Sequence, residues 1–101
     1  MTELLALPGW NTPPTALDAW VEALGSPGHA VVTTRESTTV SWVEIAALRC
    51  RGYVLMQGQH VEAINFELTA LDPAPARAFI EAVAVSLGWE IHDDDGPDDE
   101  E

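Results

Sequence analysis

Three histidines, one cysteine and four serines are the side chains whose chemistry could support metal binding or nucleophilic catalysis, and their spacing limits what each can do. On extended backbone His60 and Glu62 project to one side of a strand, as do His92 and Asp94, which is the closest approach to a divalent-ion arrangement. Neither pair sits in a dense ligand motif such as HExxH, so no metal and no cofactor are assigned. Cys50, being alone, excludes an intrachain disulfide and a multi-cysteine zinc site. It falls late in an expected helix on the apolar side, where the negative helix end and burial both raise a thiol's pKa, so it reads as a core residue. Ser26, Ser37, Ser41 and Ser86 lack an acid–base neighbourhood, and Ser41 is better explained as a helix cap. The seven glycines are isolated or at turns, with no phosphate-cradling run. No catalytic residue is assigned, and nothing requires an enzyme.

Charge is the stronger signal. Seventeen acids face four arginines and no lysine, a net of −13 over 101 residues. Seven of the acids lie in residues 93–101, DDDGPDDEE, which cannot bury apolar surface and reads as a disordered tail. Residues 1–92 form the single expected domain and still carry ten acids against four bases. A molecule of this sign is repelled by nucleic acid and anionic lipid, so direct binding to either is not expected. MTELLALPGW lacks the basic and long apolar regions of a secretory signal, no apolar run nears the ~20 residues of a membrane span, and the lone cysteine suits a reducing compartment; the expectation is cytoplasmic.

The elements that must position these groups follow from periodicity. Thr12 as N-cap and Pro13 at the first helical position open a helix over 13–24, with Leu17, Trp20, Val21 and Leu24 on one face. AVVTTR, residues 30–35, is rich in β-branched residues and reads as a strand. Ser41 and Glu44 have capping-box spacing and Gly52 stands where a helix ends, so residues 42–51 are expected helical, with Trp42 and Cys50 on the apolar side. Residues 53–57 and 60–71 form a hairpin around Gly58 and Gln59; Ile64, Phe66, Leu68 and Ala70 alternate with Ala63, Asn65, Glu67 and Thr69. Asp72 and Pro73 open a helix whose stripe is Ala76, Phe79, Ile80, Val83 and Leu87, Gly88 stops it, and Trp89 and Ile91 alternate in a last strand. The expected fold is therefore α+β: an extra N-terminal helix followed by the ferredoxin-like split βαβ order, β-α-β-β-α-β, with a four-stranded antiparallel sheet and one open face.

That order, with RGYVL from Arg51 to Leu55 and LGWEIHDDDG from Leu87 to Gly96 before an acid-rich end, resembles the regulator of ribonuclease activity B family. The Asp-Gly-Trp-Gly segment expected near that family's end has no counterpart here. The resemblance implies an acidic protein that binds and restrains a ribonuclease. From charge alone the expectation is a non-enzymatic binding or regulatory protein acting on a basic partner, such as a nuclease, a nucleic-acid-binding protein or a toxin, by charge mimicry. Glu62, Glu67 and Glu90, together with Glu36, are placed on the open sheet face or in loops, and Trp10, in the loop PGWNTPP, is a candidate aromatic anchor. Two other readings remain open at this level. One is a homodimer enclosing a small-ligand or catalytic cavity on the sheet face, lined by Val54, Met56, His60 and His92; the other is an assembly subunit docked through its N-terminal helix.

Overall fold

The computed structural model describes residues 2–26, 28 and 30–93. It is α+β, but the sheet has six strands, all neighbours antiparallel, and two helices. In chain order the elements are β1 Thr2–Pro8, α1 Leu17–Gly25, β2 Val32–Arg35, β3 Val40–Ile45, a 3-10 turn at Ala46–Leu48, β4 Cys50–Gln57, β5 His60–Leu68, α2 Ala74–Ser86 and β6 Trp89–Asp93. Strand order across the sheet is β2-β3-β4-β5-β1-β6. The four-stranded ferredoxin-like arrangement, and with it the order that carried the family resemblance, is not what the chain builds.

Two local misreadings produce that difference. The first concerns TELLALP, whose single β-branched residue is Thr2 and whose intrinsic strand preference is low. It nevertheless lies between β5 and β6, pairing Leu4 with Phe66 on one side and Ala6 with Ile91 on the other. Burial on one face and neighbours on both sides override propensity. The second concerns residues 42–51, which are not helical: Val40–Ile45 pairs with β2 and β4, and the chain turns back through the 3-10 turn with Arg49 at φ 50°. Ser41 and Glu44 do not cap a helix, because they stand on opposite faces of a strand. Gly52 is no helix terminus either. It sits in β4, where an added Cβ would lie 2.8 Å from Val43 Cγ2 and 3.0 Å from Ile64 Cγ2, so the two side chains fill the space over it.

The first helix starts later than expected. Residues 13–15 stay out of the helix because a residue before proline is pushed from the α region, and both Thr12 and Pro13 precede one. Thr12 Oγ1 donates instead to the carbonyl of Gly88 at 2.6 Å, tying the start of this segment to the end of α2. Ala16 forms a bridge with His60, and α1 begins at Leu17. The hairpin at Gly58, α2 and the final strand agree with the periodicity; Asp72 Oδ1 accepts the Ala74 N–H at 3.2 Å, and Gly88 takes φ 81°.

Both helices contribute to one core. Trp20 and Leu24 of α1 and Ala76, Ile80, Val83 and Ala84 of α2 join Leu4, Ala6, Val43, Ile45, Cys50, Val54, Val61, Ile64, Phe66, Leu68 and Trp89 from the sheet. Trp20 meets Trp89 edge-on at 5.2 Å and Phe66 at 5.9 Å. By register, every strand residue in this cluster is on the same side of the sheet. Among the described residues the other side carries no helix. Asp93, assigned to the tail on sequence, closes β6 opposite Leu4, and residues 94–101 lie outside the described residues. Among the described residues no helix is long and apolar enough to cross a membrane.

Candidate functional site

The uncovered face is built by the alternate residues of all six strands. One cross-strand row reads Thr34, Trp42, Tyr53, Asn65, Leu5 and His92, one residue per strand from edge to edge. Beside it lies a charged row: Val32, Glu44, Arg51, Glu67 and Glu3. On its other side Val40, Leu55 and Ala63 are aligned, and Leu7 faces Glu90. Acids thus flank a band of aromatic and aliphatic side chains that the protein itself leaves half-covered.

The aromatic centre is ordered by its neighbours. Trp42 and Tyr53 meet edge-on with centroids 4.8 Å apart, and the Arg51 guanidinium lies 4.5 Å from the Trp42 ring centroid. Arg51 also reaches Glu67 at 3.3 Å, while the indole Nε1 of Trp42 donates to Glu36 at 2.6 Å. A single cation therefore links one aromatic and one carboxylate, and Glu3 and Glu44 make no ion pair among the described residues. Glu3 stands directly opposite Glu67, a like-charge cross-strand pair that works against the fold. At the middle of the neutral row the Oδ1 of Asn65 is buried and accepts no hydrogen bond. A buried acceptor left open costs about 1–3 kcal/mol.

The acids and the aromatic anchor expected from sequence do not assemble together. Glu67 and Glu90 are on this face, with Glu36 at its margin. Glu62 is not: it is the extra residue of a β-bulge between Val61 and Ala63, and it lines a separate shallow cavity with Pro13, Thr15 and His60. Trp10 is 92% exposed in the turn after β1, away from the rows. Sequence reasoning missed Glu3, Glu44, Trp42, Tyr53 and Asn65 as a group. Their period-2 spacing was present in VSWVEI and RGYVL, but the helix expected over 42–51 scattered it.

The other chemical candidates do not converge. Val54 is buried beneath the helices while His92 is on the open face 3.4 Å from Glu90, so the four proposed cavity residues do not share a cavity. No cluster of three metal-binding side chains occurs among the described residues; Asp94 lies outside them. Cys50 is buried in the sheet core and desolvation pushes its thiol pKa up to about 12, which makes it a poor nucleophile. The stripe of α1 is spent against its own sheet, with Trp20 and Leu24 fully buried. Compared with known proteins, the chain matches no family model, no curated protein and no solved structure.

Proposed function

We propose that the chain is a non-enzymatic binding protein whose open sheet face engages a basic surface of a protein partner. The observation that carries this reading is the like-charge pair of Glu3 and Glu67 at the side of an uncovered aromatic band. Opposed carboxylates cost stability in the free molecule, and a basic partner relieves that cost on docking. Tyr53, Trp42, Leu5 and Leu55 supply apolar contact. The net charge of −13 adds attraction at long range. A nuclease, a nucleic-acid-binding protein or a toxin presents the required surface, and the acidic face then occupies the groove used for phosphates.

The test is capture from native lysate at low salt with the wild-type chain and with Glu3→Arg/Glu44→Arg, followed by salt elution and mass spectrometry. A basic protein retained by wild type, released by salt and absent with the variant is the expected result. Glu3→Arg removes one like-charge pair and Glu44→Arg, opposite Arg51, introduces another, so the variant should keep its Tm, which separates lost recognition from lost folding. An unchanged set of captured proteins, or retention indifferent to salt, would overturn the reading.

A further inference from the structure

On the helix-covered side of the sheet the helices stop short of the β2 edge, and the uncovered strip there forms a shallow cavity of about 390 Å³. Its polar walls are Thr33 and Arg35 of β2, Thr38 of the following turn, Ser41 of β3 and Gln59 of the hairpin, with Leu17 and Met56 as apolar floor. Among the described residues no acid lines this cavity. The charge it does contain is a guanidinium.

Arg35 makes no ion pair among the described residues. Its Nε donates to the Ser37 carbonyl at 3.3 Å, and the two terminal nitrogens have no partner among the described residues. The adjacent Glu36 does not neutralise it, because that carboxylate is held by Trp42 on the opposite face of the sheet. Ser41, directly across from Arg35 in the ladder, is the second half of the argument. Among the described residues it is the one buried polar residue, only 7% exposed, and it lines the cavity. A hydroxyl and a guanidinium that line one cavity from paired positions offer two kinds of donor to a single acceptor.

We infer that the cavity bounded by Arg35, Ser41, Thr33, Thr38 and Gln59 binds a small oxyanion, a phosphate ester or a carboxylate, through the Arg35 guanidinium and the hydroxyls around it. A guanidinium offers paired donors that match either anion, and the hydroxyls complete its coordination. The molecule's overall negative charge does not forbid this. Charges farther than ~8–10 Å are largely screened at ordinary ionic strength, so the local cation governs the site. The site is on the opposite side of the sheet from the proposed partner face and stands independently of it.

The experiment is a titration of the 15N-labelled protein with inorganic phosphate, and separately with sodium acetate, at constant ionic strength set by chloride. Saturable amide shifts confined to Thr33, Thr38, Ser41, Gly58 and Gln59 are expected. Arg35→Gln should weaken binding at least about tenfold, Ser41→Ala by a smaller factor, and Arg49→Gln not at all. A response to phosphate alone assigns a phosphoryl group and a response to acetate alone a carboxylate; either supports the site. Shifts that never saturate, or that persist unchanged in Arg35→Gln with its spectrum otherwise intact, overturn it.

Discussion

Gly52→Ala is the substitution that most directly tests how β3 and β4 are held together. The backbone of Gly52 is not in the left-handed region, so alanine is acceptable conformationally and gains about 0.5–1 kcal/mol from reduced freedom of the unfolded chain. Its methyl, however, would stand 2.8 Å from Val43 Cγ2, 3.0 Å from Ile64 Cγ2 and 3.2 Å from Phe66 Cδ1. Val43 and Ile64 are β-branched, held in few rotamers and fully enclosed, so neither can swing aside. Overpacking costs about 1–3 kcal/mol, and three contacts within 3.2 Å put this site in the upper part of that range, about 2–3 kcal/mol, which leaves a net loss of about 1–2.5 kcal/mol. For a domain of this size that lowers Tm by roughly 4–20 °C in differential scanning calorimetry. Val43→Ala removes the nearest clashing methyl, and the double variant should therefore lose at least about 0.5 kcal/mol less than the sum of the singles. A neutral or stabilising Gly52→Ala, or strict additivity with Val43→Ala, would show that the close packing of Val43 over Gly52 is wrong.

Three further outcomes follow from other residues. Thr12→Val removes the 2.6 Å hydrogen bond to the Gly88 carbonyl and should cost about 1 kcal/mol in chemical denaturation, while Gly88→Ala, at φ 81°, should cost at least as much by strain. Cys50 makes stability fall at alkaline pH: its folded pKa is raised from 9.0 to about 12, so the unfolded chain loses the proton first. The thiol's contribution is intact below pH 9 and declines between pH 9 and 12 by up to ~4 kcal/mol; Cys50→Ala should flatten that slope, measured by urea unfolding across the range.

The parts of the fold legible in sequence were those where local pattern and tertiary burial agree. In β5, Ile64, Phe66 and Leu68 alternate with Asn65 and Glu67, and the structure separates them onto the covered and open faces. In α2, Ala76, Ile80 and Val83 repeat at helical spacing and are buried. Where the sequence misled, a local signal had a second physical cause. Ser41 and Glu44 mimic a capping box because Ser41 faces inward and Glu44 outward on one strand; Gly52 mimics a helix stop because bulky neighbours occupy its Cβ position. Leu4 and Ala6 gave no strand signal, since their extended state comes from pairing with β5 and β6. The acidic face was half legible. Glu67 and Glu90 were found through alternation, whereas Glu3 and Glu44 depended on strands not recognised, and Glu62 was displaced by a bulge that no local residue announces.

The position of β1 also governs how this chain can reach its native state. The β2-to-β5 meander closes through neighbours in sequence, but β1 must find Phe66 on one flank and Ile91 on the other, far along the chain. Such pairing raises contact order and moves a domain towards the slow, millisecond-to-second end of folding rates. Until β1 inserts, the outer edge of β5 presents unpaired backbone beside Ile64 and Phe66, the kind of surface on which nascent chains associate. A bulky fusion placed directly before Thr2 therefore burdens the interior strand whose arrival completes the sheet, and yield on refolding should be more sensitive there than at any surface loop.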